Sequence, residues 1–213
     1  MKRSDYLKND FERALLTLDR TAAEKIITEA VANGDPVEVA SELITDVLQK
    51  IGDAWEEGKV ALSQVYMCGL ICEESIDKIL PPSSPKRKSQ PKMGIAVFED
   101  YHLLGKRIIY STLRAGGYEL MDLGSGLTTA YLTRAVKDEH IKILLLSTLM
   151  LPSALKIKKL TSELAGSGVK IIVGGAPFRF DSELWKEVGA DAMGKDSSEA
   201  LAVVKKFTGV DNE

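Results

Sequence analysis

The stretch MGIAVFEDYHLLG, residues 93–105, decides the architecture. Met93 to Phe98 is an uninterrupted apolar run of strand length. Such a run fits a strand buried on both faces, as in a parallel sheet, rather than the alternating pattern of a half-exposed one. Two acids follow, and from Leu103 the apolar positions recur at helical spacing through residue 115. The same change of period repeats downstream. Short apolar runs at Glu119 to Leu123, Ile141 to Leu146, Val169 to Val173 and Ala190 to Met193 are separated by helical patterns over 127–139, 152–166, 181–188 and 196–207. Strands alternating with helices five times over predict a parallel sheet covered on both faces.

Upstream of residue 93 the pattern is different. Phe11, Leu15 and Leu18 recur at helical spacing, and Asp35-Pro36-Val37-Glu38 is a helix start with Asp as cap and Pro in the first turn. That helix should carry Val39, Leu43, Val47 and Ile51 on its buried stripe, and Gly58 marks the break after it. Four helices are predicted, over 5–18, 21–32, 36–56 and 62–80, enough for a bundle. Pro81-Pro82-Ser83-Ser84-Pro85-Lys86-Arg87-Lys88-Ser89-Gln90-Pro91 reads as a semi-extended linker whose basic triplet is solvated. The expected organisation is therefore a four-helix bundle (1–80), a linker (81–91) and a flavodoxin-like, Rossmann-type α/β domain (92–213). Its five-stranded parallel sheet should have order 2-1-3-4-5, with flanking helices.

The 213 residues are 45% apolar and 28% charged, an ordinary globular composition, and the formal charge of −3 offers no pull toward nucleic acid or anionic membrane. No apolar run approaches the roughly 18 to 20 residues a bilayer span needs, and residues 1–11 lack the hydrophobic stretch of a secretory signal. A cytoplasmic protein is expected. Cys68 and Cys72 sit four apart on one helix; two thiolates cannot complete a four-ligand zinc or iron–sulfur site, so they read as small residues in a packed seam.

In sheets of this order, ligands bind beyond the carboxyl ends of the strands where strands 1 and 3 diverge. Glu99 to Gly105 ends the first strand, Ser147-Thr148-Leu149 the third and Gly174-Gly175-Ala176-Pro177 the fourth. His102 is one of two histidines, and a neutral imidazole is a good transition-metal ligand. Asp100 is placed to accept from its second ring nitrogen, fixing the tautomer. Ser147 faces the pair across the switch point and is placed to donate to the same carboxylate. Gly174 and Gly175 let a bulky group come against backbone, and Gly105 lets a ligand tail pass beneath the following helix. His140, in a helix-to-strand turn, is given no role.

Asp100-x-His102-x-x-Gly105, then Ser147-x-Leu149, then Gly174-Gly175 resembles the cobalamin-binding signature shared by methionine synthase, the B12-dependent mutases and corrinoid methyl-carrier proteins. Between Gly105 and Ser147 lie 41 residues, close to the spacing usual in that family. The helical half is similar to the bundle that precedes this domain in the methyl carriers. The resemblance implies a cobalamin bound with its own base detached and buried as a tail. His102 would take the lower cobalt position, Asp100 and Ser147 would form the relay behind it, and Tyr101, Leu103, Leu104, Gly105, Leu149, Gly174 and Gly175 would contact the cofactor. Leu62, Val65 and Tyr66 are the candidates for its upper face. The chain departs from the family where Glu99-Asp100-Tyr101-His102-Leu103-Leu104-Gly105 stands for the frequent Gly-Asp-Val-His-Asp-Ile-Gly. It departs again where Val60-Ala61-Leu62-Ser63-Gln64 replaces an aromatic and a Pro-Glu pair.

A substrate-activating barrel takes about 250 residues, which this length does not accommodate beside two such halves. The resemblance therefore points to a carrier, the corrinoid subunit of a multi-component methyltransferase or O-demethylase system, non-catalytic by itself. Its expected partners are a substrate-specific methyltransferase, an acceptor (folate or thiol) methyltransferase and a corrinoid-activating reductase, with no nucleic acid and no membrane. A B12-dependent sensor acting through protein partners is the alternative. A phosphoreceiver shares the strand order, but Ser147 and Thr148 stand where its acceptor aspartate would be.

Overall fold

The structure, a computed structural model, describes residues 3–33, 36–79 and 89–209. The expected cap Asp35, the end of the fourth helix at Leu80 and linker residues 81–88, including the basic triplet, lie outside the described residues. The chain divides into two compact units, one of residues 1–89 and 111–118, the other of 90–110 and 119–213.

The first unit is helical: α1 (Arg3–Leu16), α2 (Arg20–Ala30), a single 3-10 turn at Val31–Asn33, α3 (Pro36–Glu56) and α4 (Leu62–Ile79). Phe11, Leu15, Ile27, Leu43, Val47, Ile51, Ile71 and Ile76 are buried, as one stripe per helix requires. The side chain of Val39 lies outside the described ones. Leu18 departs from the expected stripe: it is exposed, φ is +57°, and α1 has already ended. The Asp19 amide bonds Ala14 O (2.8 Å) and the Leu18 amide bonds Leu15 O (3.0 Å), the paired closure that puts a left-handed residue just past a helix. Asp19 then accepts from Ala22 N to cap α2, so the capping aspartate forces the turn and overrides the apolar spacing. Gly58 (φ +73°) closes α3 with the same bonds, Lys59 N to Ala54 O and Gly58 N to Trp55 O. Cys68 and Cys72 are buried and free; burial pushes the Cys68 thiol up to about 12 and raises Cys72 as well.

The second unit alternates as the periodicity predicts: β1 (Met93–Phe98), α5 (Leu103–Ala115), β2 (Leu120–Leu127), α6 (Thr129–Asp138), β3 (Ile143–Ser147), α7 (Leu151–Glu163), β4 (Lys170–Gly174), α8 (Ala176–Phe180), α9 (Leu184–Glu187), β5 (Ala192–Gly194) and α10 (Ser197–Thr208). The last turn of α5 is grouped with the helical unit. There the buried Arg114 pairs with Asp77 of α4 at 2.7 and 2.9 Å. The sheet is parallel with order β2-β1-β3-β4-β5, and all six residues of β1 are buried. Register aligns Val97 with Ser147, Ser147 with Gly174 and Gly174 with Gly194, so the strand ends form one rim.

Two elements differ from expectation. β2 runs to Leu127 rather than 123, because two register shifts against β1 and glycines at φ +104° (Gly124) and +67° (Gly126) carry it past its apolar segment. The helix expected over 181–188 is only the short α9, preceded by a second short helix, α8, that was not expected; the two are separated where Asp181 accepts from the Glu183 amide in a turn of its own. No helix among the described residues is long and apolar enough to cross a membrane.

Gly175 illustrates how tightly the rim is built. Its φ is +112°, and an added Cβ would overlap the carbonyl of Thr148. Gly175→Ala should therefore lower stability by about 2–4 kcal/mol, whereas Gly166→Ala, at φ +78° with open space around it, should cost about 1–2 kcal/mol. Urea unfolding of the two variants beside wild type measures the difference, and equal losses would contradict it.

Candidate functional site

Between β1 and α5 the chain makes a short turn around one side chain. Asp100 is buried, and its carboxylate accepts five hydrogen bonds. Oδ1 accepts from the amides of Tyr101 (2.6 Å) and His102 (3.1 Å) and from His102 Nδ1. Oδ2 accepts from the amides of Leu149 (2.8 Å) and Met150 (3.2 Å), at the N-terminus of α7. Met150 is the N-cap residue of α7 and offers no side-chain cap, so the distant aspartate does that work and meets the positive end of the helix dipole. Burial pushes this carboxyl up, but the hydrogen bonds from His102, Leu149 and Tyr101 outweigh it and bring it down to about 2. The group is an anion throughout the physiological range.

An ionised carboxylate only accepts, so His102 Nδ1 carries the proton, and in the neutral imidazole Nε2 is the nitrogen with the free lone pair. The His102 side chain is 60% exposed. The protein thus presents one pinned, outward imidazole nitrogen at the carboxyl rim of the sheet.

Tyr101 is exposed, and its ring lies against Gly126, where any Cβ would overlap it. Leu103 is half-buried, and Leu104 and Leu149 are exposed. Gly105 is exposed, and a Cβ there would stand 3.5 Å from Ser147 Oγ, so the glycine leaves a slot beside that hydroxyl. Gly174 has Gly194 O 3.0 Å from the position of a Cβ, and Gly175 lies against Thr148, so both glycines are required by strand packing before any ligand is considered. Ser147 is half-buried, and no hydrogen bond from it to Asp100 is present: the two amides of Leu149 and Met150 occupy Oδ2 instead. Leu62, Val65 and Tyr66 fall in the first turns of α4; Val65 is buried and the other two are half-buried.

Three features escaped the sequence reading. Thr148 Oγ1 is buried without a hydrogen-bond partner, beside the rim residues Ser147 and Gly175. Lys106 is buried next to Gly105 and pairs with Asp122, which also accepts from Gly124 N. Gly124-Ser125-Gly126 extends β2 toward Tyr101. The glycine pair around Ser125 was the one signal that pointed to the last of these.

No group of three or more His, Cys, Asp or Glu among the described residues could hold a bare metal ion. A single oriented imidazole suits a metal that arrives with its equatorial ligands already in place. The open slot at Gly105 and the orphaned hydroxyl of Thr148 suit a polar tail entering beside β3. The residues present fit a corrinoid.

Comparison with known proteins agrees with that fit. A family model described as B12 binding domain matches residues 92–204, and a second of the same description matches residues 7–79. The trimethylamine corrinoid protein of Methanosarcina barkeri is 31% identical over 205 residues, covering 91% of this chain and 93% of that protein. A cobalamin-binding protein from Desulfitobacterium hafniense DCB-2 shares the fold with a TM-score of 0.77 at 22% identity, over 94% of this chain and 98% of that one. The methanol:cobalamin methyltransferase complex MtaBC from Methanosarcina barkeri also shares it, with a TM-score of 0.66 at 20% identity, over 98% of this chain and 82% of that one. By two family models and a relative 31% identical over nearly its whole length, the chain belongs to the B12-binding family, and its cofactor is cobalamin.

Proposed function

We propose that the chain is the corrinoid methyl carrier of a multi-component methyltransferase system. The observation that carries this reading is the Asp100-held imidazole of His102, exposed at the sheet rim. When bound, the corrinoid supplies a cobalt centre able to take up a methyl group from one donor and release it to one acceptor. The chain's own part is positional. Asp100 keeps the proton on His102 Nδ1, so Nε2 would be the nitrogen offered to the cobalt. Ser147, Leu149, Gly105, Gly174 and Gly175 would hold the tail, Thr148 would offer it a hydroxyl, and Tyr101, Leu103 and Leu104 would border the ring. Leu62, Val65 and Tyr66 remain the residues assigned to the upper face.

The described residues hold a helical unit and one five-stranded sheet, with no barrel to activate a methyl donor, so a substrate-specific methyltransferase is the natural first partner. The donor favoured by the relatives is a methylamine, since the similar chains are trimethylamine and monomethylamine corrinoid proteins. Methanol and methoxyaromatics, the O-demethylase substrates, are the other small donors in view. An acceptor methyltransferase using a folate or thiol completes the cycle. The two thiols of the chain are buried and held protonated, so reductive rescue of oxidised cobalt needs a separate activating reductase.

Two tests address this reading. Reconstituted with hydroxocobalamin and titrated by visible absorbance, the wild type should bind tightly. Asp100→Asn should weaken binding by about 10- to 100-fold, and His102→Ala should also change the spectrum. Binding and spectra unchanged in both variants would remove His102 as the ligand. The reduced holoprotein should then accept a methyl group from trimethylamine in the presence of an amine-specific methyltransferase. Failure with amine, methanol and methoxyaromatic methyltransferases alike would overturn the carrier function.

A further inference from the structure

Among the described residues, Glu99 is one of three non-glycine residues with positive φ, at +44°, and it immediately precedes Asp100. A left-handed conformation is unfavourable for a residue with a Cβ, so the surroundings must hold it there. Three contacts do so. The Glu99 amide bonds Leu127 O at 3.1 Å. Its carbonyl accepts from Ser153 Oγ at 2.9 Å, and its carboxylate pairs with Lys156. Ser153 is buried and Lys156 is exposed; three residues apart, they share a face of α7. The two amides that bind Asp100 Oδ2, from Leu149 and Met150, lead into the start of the same helix. α7 therefore grips both residues of the turn: 99 through a hydroxyl and an ammonium, 100 through backbone amides.

We infer that Lys156 and Ser153, acting through Glu99, are positioning residues for His102. They hold the turn at Glu99 in its left-handed conformation, which presents the Asp100 carboxylate to His102 Nδ1. The inference rests on His102 as the axial ligand for its consequence, but the strut itself is a property of the cofactor-free chain. It gives a physical account of how a glutamate holds this conformation: the side chain brings its own partner to stabilise a backbone that glycine adopts freely.

Glycine also supplies the test. Amide hydrogen exchange is measured on the cofactor-free wild type, Lys156→Ala, Ser153→Ala and the double variant Glu99→Gly/Lys156→Ala, and each is then titrated with hydroxocobalamin. Lys156→Ala should speed exchange at His102, Leu149 and Met150 by about two- to fivefold and weaken hydroxocobalamin binding by a similar factor. Ser153→Ala should act in the same direction. Adding Glu99→Gly to Lys156→Ala should return both readouts to the wild-type values, because glycine needs no strut. A purely structural lysine would give no such rescue, and its loss would speed exchange along β3 and β4 as well. Unchanged exchange in Lys156→Ala, or no recovery in the double variant, would overturn the inference. If the wild type takes up no corrinoid, the cofactor reading fails while the exchange result still decides the strut.

Discussion

The Asp100 carboxylate is where the end of β1, the start of α7 and the imidazole of His102 are tied together. A buried anion is expensive unless its lone pairs are satisfied. Here four amides and one ring nitrogen satisfy them, and a carboxyl that burial alone would push up is brought down to about 2. The same bonds do structural and chemical duty. Those from Leu149 and Met150 seat α7 against the rim, and the one from His102 chooses which imidazole nitrogen stays free. Neutralising this side chain would loosen a helix N-terminus and release the ligand tautomer together.

The sheet makes that arrangement possible. Parallel order β2-β1-β3-β4-β5 sends the helices after β1 and β3 to opposite faces, so the loops at their carboxyl ends separate and leave a crevice. Close strand packing then fills in the rim: Gly175 fits because it has no Cβ to strike Thr148 O, and Gly105 leaves Ser147 Oγ approachable. Glycines at this rim thus serve two ends. Gly174 and Gly175 are demanded by neighbouring backbone, whereas Gly105 keeps open a space that packing does not require.

Much of this was legible in the chain itself. The six-residue apolar run of β1 and its four echoes pointed to the sheet, because burial on both faces leaves an unbroken hydrophobic signature, and Pro36 and Gly58 bracketed α3. The two-residue spacing of Asp100 and His102 anticipated a hydrogen bond that the turn does form. What stayed hidden depended on backbone groups or unusual dihedrals. Residue types do not announce amide donors, so side-chain chemistry points to Ser147 as the partner of Asp100 where Leu149 and Met150 N–H groups serve. Leu18 and Glu99 in left-handed conformations are set by contacts distant in sequence or by a following cap, and neither breaks the apolar pattern that precedes it. The extension of β2 depends on glycine kinks that periodicity ignores.

The central claim is that His102 supplies the axial nitrogen to cobalt. It is tested most directly by electron paramagnetic resonance of the cobalt(II) holoprotein, prepared once with natural-abundance histidine and once with 15N-histidine. Ligation through His102 should give cobalt lines split into triplets by one nitrogen, converting to doublets on 15N labelling and disappearing in His102→Ala. Splitting that ignores the histidine label, or survives loss of His102, would mean that the nitrogen comes from the cofactor's own base or from another residue, and the site would have to be rebuilt without this imidazole.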